Sequence, residues 1–534
     1  MSDKMIVVAA DKISTPGLAP LTGDDRFEVI VADGWDTEQL HEAMASAHGL
    51  IVRSATKVTR ELLEVSPNLR VVGRAGVGVD NIDLEVATEH GIPVINAPEG
   101  NTVSAAELSM ALMLSVVRKV AAADNSVRGG DWARSQFSGI ELRGKTLALV
   151  GAGRIGAEVA NRVRAFGMRT IAYDPYLTEE RAKQLEIERV TFAQVLAQGD
   201  VISLHVPLTP ATERMIGAKE LQAMKSSGFL INAARGGVVD EDALVAALEA
   251  GEIAGAALDV YETEPLPENS TLRRAPNLVL TPHLGASTAE AQELVASEIA
   301  EGVRAALLEG DLSRALNAPA IGGEELKVVR PLLDLARKVG RVAAVLGWGG
   351  MRRVDIGLAA ETEEILHPLS AAVMTGMLTP VVGRRNVNFV NALHLADSRN
   401  ISVGTGLVEE RPDYSEYIEV VLETEREKVR VCGALLGDQL HPRIVQIDNF
   451  TLSIKPEGCL LVLRNKDVPG VIGKVGTMLG THGLNIAEYV QARQDEGGEA
   501  MAAVTVDGKV RSSLLAVLRE EDEIFDVRAV LLSD

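Results

Sequence analysis

The chain has 534 residues and a net charge of −22, and 46% of it is hydrophobic but only 3% aromatic. At roughly 100–200 residues per domain, that length predicts about three or four domains, with cores of Ala, Val, Leu and Ile suited to parallel strands under helices. The charge excludes nucleic acid and anionic membranes as partners, so an anionic substrate must be held by local arginines.

Two cysteines, Cys432 and Cys459, provide neither a disulfide framework nor a zinc spacing. No metal is expected, and cytoplasmic residence is the simple reading. Asp11 and Lys12 interrupt the apolar start of the chain too early for a targeting segment. The longest apolar helical pattern, 108–117, is too short to span a membrane.

In chain order, Met5–Ala10, Phe27–Ala32, Gly49–Val52, 69–72 and 93–95 read as strands, and 37–47 and 84–90 as helices. This alternation implies a parallel sheet with helices on its faces. One long helix is expected over about 103–128. From about 145 to 283 the alternation resumes. The β run Thr146–Val150 leads into Gly151-Ala152-Gly153-Arg154-Ile155-Gly156, and the helix that follows ends near Phe166-Gly167. The next strand, 170–173, ends at Asp174, 18 positions past the last glycine. Beyond Asn317-Ala318-Pro319 a linker is expected around Gly322-Gly323, then mixed helices and strands, including 414–424. The last segment, about 459–534, reads as a ferredoxin-like βαββαβ unit.

A GxGxxG between a strand and a helix, with an acid at this distance, carries the physics of a dinucleotide site. Gly151 permits the tight turn, Gly153 the approach of backbone to pyrophosphate, and Gly156 close helix packing, while the helix N-terminus faces the phosphates. Asp174 would accept hydrogen bonds from the adenosine ribose and repel a 2′-phosphate, so the cofactor is expected to be NAD.

Three later apolar runs each end in a polar group: Ala233-Ala234-Arg235, Asp259 through Glu264, and Pro282-His283. Ligand sites of open α/β sheets lie outside the carboxyl ends of the strands. Oxidising a 2-hydroxy acid needs a base, for which His283 is suited, and a cation for the carboxylate, for which Arg235 is suited. Glu264 would fix the imidazole tautomer.

The glycine loop, Ala234-Arg235-Gly236-Gly237, Leu258-Asp259-Val260, Glu264-Pro265 and Pro282-His283-Leu284-Gly285-Ala286-Ser287-Thr288 together resemble the signatures of the D-2-hydroxyacid dehydrogenases. The resemblance implies that Arg235, Glu264 and His283 are the catalytic trio. It also implies that Gly151, Gly153, Arg154, Ile155, Gly156, Asp174, Ala233, Arg235, Asp259, His283, Gly285 and Ala286 form the NAD site. The implied fold is α/β, with a Rossmann-type NAD domain (99–284) inserted in a flavodoxin-like substrate domain. That substrate domain comprises 1–98 and 285–316 and is closed by a return helix at 289–308.

Gly73 through Asn81 and Asn96-Ala97-Pro98 resemble the phosphoglycerate-oxidising branch of that family. Arg53, Arg74, Gly76 and Asn101 are then expected to bind the anionic substrate, 3-phosphoglycerate, with Arg134 lent by a neighbouring subunit. The segment 317–455, with Pro368 through Val373 and Asn388 through Ala392, resembles the intervening domain of its long-form members, an α+β unit that is a candidate allosteric substrate-binding domain. The segment 456–534, with Asn465 through Ile472 and Gly483 through Ile486, resembles an ACT domain, for which L-serine is the expected effector through Asn465, Asp467 and Asn485. A homotetramer is expected. A hydroxypyruvate, glyoxylate or 2-oxoglutarate reductase would usually lack this tail, and an NAD-sensing corepressor would need partner surfaces that the sequence does not suggest.

Overall fold

The computed structural model describes residues 4–319, 321–359, 363–408, 414, 416–437 and 439–532. The strand expected over 414–424 is present as Glu416–Thr424, position 415 lying outside the described residues, as do 1–3 and 533–534 of the expected first and last domains.

Among the described residues four sheets follow one another. The first has five parallel strands in the order Phe27–Ala32, Met5–Ala10, Gly49–Val52, Val71–Arg74 and Val94–Asn96. This 2-1-3-4-5 order is the flavodoxin-like winding. Helix Ala289–Glu309 crosses back over it and buries Val295, Ile299 and Val303 with Val7, Ile51 and Val71. Gly73 permits this approach, since a Cβ there would lie 2.8 Å from Val303. The strand expected at 69–72 starts two residues later, because Leu69 still closes a turn onto Ser66.

The second sheet has seven parallel strands, in the order Leu278–Leu280, Gly255–Leu258, Phe229–Asn232, Val201–Leu204, Thr146–Val150, Arg169–Tyr173 and Glu188–Arg189. The direction of winding reverses between Thr146–Val150 and Val201–Leu204, which makes that crevice the expected ligand site.

The helix expected over 103–128 is two helices, Thr102–Val117 and Val120–Arg128. Lys119 between them takes a left-handed φ of 53°. The first helix packs Met110, Met113 and Val117 into the core of the second sheet, whereas the second buries no residue within the chain. The break falls where the apolar face loses its support.

The third sheet is mixed, with six strands: Ser402–Leu407, Met351–Ala359, Glu416–Thr424, Lys428–Leu436, His441–Ile447 and Phe450–Ile454. Helices Gly323–Leu346 and Leu366–Val382 cover it. The expected linker at Gly322-Gly323 is instead the start of the first of these helices. The fourth sheet is antiparallel, in the order Ile486–Arg493, Glu499–Val506, Cys459–Lys466 and Ile524–Leu531, with helices Val471–Thr481 and Ser512–Arg519. Its central run Cys459-Leu460-Leu461-Val462-Leu463 is wholly buried for a reason visible in the pleat. Cys459, Leu461 and Leu463 face the two helices, while Leu460 and Val462 join the core of the third sheet. Among the described residues no helix is long and apolar enough to cross a membrane.

Candidate active site

The glycine loop is built as its sequence requires. Gly151 has φ 93°, and a Cβ there would lie 2.4 Å from the His205 carbonyl oxygen. A Cβ on Gly156 would lie 2.4 Å from the Gly151 carbonyl. Gly153, the N-cap of helix Arg154–Arg164, has nothing within 4 Å of its Cβ direction, so its backbone is open to a ligand. Asp174 is held at the end of its strand, one carboxylate oxygen accepting from Ala152 N at 2.9 Å and the other from Tyr176 N at 2.8 Å. These residues fit a dinucleotide: a cradle that admits backbone only, a helix N-terminus and a fixed carboxylate.

A cleft of about 900 Å³ runs between the first two sheets, within the range of cofactor and substrate sites. Its walls bring together Arg53, Arg74, Asn101, Ile155, Ala233, Arg235, Glu264, His283, Gly285 and Ala286. Arg154 lies outside this lining, exposed and 3.6 Å from Glu99. Gly76 is not part of the lining, and a Cβ there would fall on Arg74 Nη1. Arg134 is exposed and elsewhere.

His283 Nδ1 lies 2.7 Å from Glu264 Oε2, and Glu264 Oε1 accepts from Tyr261 N at 3.1 Å. With Nδ1 donating to the carboxylate, Nε2 is left as the basic nitrogen. The imidazole is aimed by a left-handed backbone at His283 (φ 56°), a conformation uncommon for residues other than glycine. Asp259, wholly buried, ties this turn down: its carboxylate accepts from Thr281 Oγ1 at 2.6 Å, Leu284 N at 2.8 Å and Gly285 N at 3.0 Å. Burial pushes the Asp259 carboxyl upward, against these hydrogen bonds.

The opposite wall is cationic. Arg74 is largely enclosed, and burial, reinforced by the charges of Arg235 and Arg53, lowers its pKa to about 10, so it stays charged at neutral pH. Its Nε has no partner, and neither has the buried Oδ1 of Asn101. Arg53 donates from Nη1 to the Lys12 carbonyl at 3.0 Å. Three guanidinium groups converging on one cleft can hold a multiply charged anion within a chain of opposite net charge.

Sequence reasoning missed His205, which lines the cleft beside the glycine loop. Burial lowers its pKa to about 4, and its Nε2 lies 2.9 Å from Ser203 Oγ, so it is a neutral imidazole. It directly follows a strand, Val201–Leu204, and the strand-end rule that selected His283 would have selected it too.

The three candidate effector residues are not brought together. Asn465 is buried with its Oδ1 unpartnered. The Asp467 carboxylate accepts from Arg493 at 3.1 Å and from Gln491 at 3.3 Å, and Arg493 holds it below the usual carboxylate range. Asn485, expected close by, lies at the opposite end of the sheet. Ile486 is level with Val506 and Cys459, whereas Asn465 is level with Ala500 and Arg493. Helix Val471–Thr481 runs antiparallel to its strand and carries the chain back to the start, roughly 20 Å away.

The chain matches the models of the NAD-binding domain of D-isomer specific 2-hydroxyacid dehydrogenases over 110–285, the D-3-phosphoglycerate dehydrogenase intervening domain over 328–448 and the ACT domain over 460–523. It is 40% identical to a D-3-phosphoglycerate dehydrogenase of Methanocaldococcus jannaschii, over 95% of this chain and 96% of that protein. It is also 40% identical to one of Mycobacterium tuberculosis, over 99% of each. Among solved structures, an NAD-dependent formate dehydrogenase from Staphylococcus aureus in complex with NAD is 30% identical, with a TM-score of 0.51, over 57% of this chain and 96% of that one.

Proposed function

The chain belongs to the D-isomer-specific 2-hydroxyacid dehydrogenases, in the D-3-phosphoglycerate dehydrogenase branch that carries intervening and ACT domains, and we infer from this that it oxidises 3-phospho-D-glycerate to 3-phosphohydroxypyruvate with NAD, the first step of L-serine biosynthesis. The observation that carries the chemistry is the His283–Glu264 pair facing three arginines in one cleft.

His283 takes the proton of the C2 hydroxyl on Nε2, and Glu264 stabilises the imidazolium that forms. Arg235 grips the carboxylate and the developing carbonyl oxygen, while Arg53, Arg74 and Asn101 hold the phosphate end. Asp259 keeps the His283 turn in place. Bound NAD supplies the hydride acceptor. The backbone at Gly153 would meet its pyrophosphate, in the cradle that Gly151 and Gly156 shape, and Asp174 would meet its ribose. NADH should accumulate when the protein is mixed with 3-phospho-D-glycerate and NAD. With NADP the rate should fall about 100-fold or more, because a 2′-phosphate would meet the fixed Asp174 carboxylate. Equal rates with the two cofactors would remove Asp174 from this role.

Helix Val120–Arg128 supports a dimer through the nucleotide-binding domains. It buries nothing within the chain, and Val120, Val127 and nearby Trp132 are 54, 55 and 80% exposed. Arg134, two positions past Trp132 and exposed, is the residue such a dimer would lend to a second copy's cleft. A second isologous contact through the C-terminal sheets would give a tetramer. Light scattering at micromolar concentration should return the tetramer mass; a monomer would contradict it. L-serine is the effector this arrangement suits. Because Asn485 is remote from Asn465 and Asp467, the site forms between two copies, each end of one sheet meeting the other end of its neighbour. The free, buried thiols Cys432 and Cys459 agree with a cytoplasmic enzyme.

A further inference from the structure

Arg235 and Asp80 meet across the cleft from different sheets. Arg235 follows the strand Phe229–Asn232 of the seven-stranded sheet, and Asp80 lies in the turn after Val71–Arg74 of the five-stranded one. Arg235 Nε lies 3.5 Å from Asp80 Oδ2, and its Nη1 donates to the Ala234 carbonyl at 2.6 Å. The remaining nitrogen sits against Gly78, where a Cβ would lie 2.3 Å from Arg235 Nη2 and 2.8 Å from Asp80 Oδ2. Gly78 has no left-handed φ, so space and not backbone conformation calls for glycine there.

The Asp80 side chain is 70% exposed, so the pair contributes little to stability. Orientation is another matter. An arginine carries about 2 kcal/mol of rotamer entropy and would not keep its guanidinium plane at one angle unaided. Ala234 fixes one nitrogen by a hydrogen bond from Arg235's own loop; Asp80 draws another from the facing lobe as an ion pair. Among the residues lining the cleft beside Arg53, Arg74 and Arg235, Asp80 is the carboxylate on the substrate lobe, and it also supports the charged form of Arg74.

We propose that Asp80 is a positioning residue for the dehydrogenation: acting through Arg235, it sets the angle at which the guanidinium grips the substrate's carboxylate and C2 oxygen, and it does so only when the two lobes are together. The inference rests on the reading of Arg235 as the carboxylate anchor.

Steady-state kinetics of the full chain with 3-phospho-D-glycerate and NAD test it. Asp80→Ala should lower kcat/KM for phosphoglycerate roughly 10- to 100-fold, the range for a small misplacement of a reacting group, with KM for NAD unchanged. Asp80→Asn keeps an oxygen acceptor and should recover most of the loss. Gly78→Ala, which wedges a methyl between the two groups, should act like Asp80→Ala, and it carries the comparison if that variant does not fold. In an Arg235→Lys background Asp80→Ala should add little, because the group it positions is gone. Wild-type kcat/KM in Asp80→Ala or Gly78→Ala would overturn the proposal, as would an undiminished further loss in the Arg235→Lys background. Wild-type kinetics in Arg235→Lys itself would instead overturn the anchor role of Arg235.

Discussion

His283→Ala is expected to lower turnover by about 10²–10⁴, the usual worth of a positioned general base, while NADH still binds. The imidazole side chain is 48% exposed to the cleft and takes no part in the core, so its loss leaves the fold standing. What disappears is the one nitrogen poised for the hydroxyl proton, since Nδ1 is committed to Glu264. The cofactor cradle of Gly151, Gly153 and Gly156 belongs to other elements of the sheet. NADH fluorescence titration should therefore match wild type while rapid-mixing rates collapse. Turnover at the wild-type rate would take the base role from His283.

Asn485→Ala is expected to raise the serine concentration for half-inhibition at least tenfold and to leave turnover without serine unchanged. Coupling free energies between sites are typically about 1–3 kcal/mol, or 5- to 150-fold, so losing one donor–acceptor pair from the effector can erase most of the effect. Among the described residues the Asn485 side chain bonds only Asp507, and it is exposed, so its loss should not disturb the sheet. Cutting the chain near 456 would be a poorer test: it would strip Leu460, Val462, Met501 and Val530 from a core shared with the third sheet. If the full chain ignores millimolar serine and calorimetry detects no binding, the C-terminal sheet is structural and the effector reading fails.

The two parallel sheets were legible in the sequence through those strands that are continuous buried apolar runs bounded by turn residues, as in Thr146–Val150 before Gly151. The site was legible where chemistry and strand ends coincide, at Arg235, Glu264 and His283, which the cleft brings together. Three things were not. Periodicity carried the helix through Lys119, whose left-handed turn reflects missing tertiary support and not local propensity. Asn485 was placed beside Asp467 because the two are close in sequence, whereas an antiparallel crossover helix separates them by the length of a strand. Asp80 stood in a recognised motif without a role, because its partner Arg235 lies on another sheet 155 positions away (235 − 80).

The reaction proposed for this cleft is the oxidation of a phosphorylated 2-hydroxy acid. The most direct measurement is initial NADH production by the wild-type chain with a panel of 2-hydroxy acids at equal concentration, 3-phospho-D-glycerate beside D-glycerate, glycolate and D-lactate. Arg53 and Arg74 facing Arg235 predict that kcat/KM for phosphoglycerate exceeds that for D-glycerate by about 100-fold or more, since a substrate without the phosphate leaves the enclosed Arg74 charge, with its unpartnered Nε, without an anion to pair with. Equal or faster turnover of D-glycerate, or no NADH with any member of the panel, would contradict it.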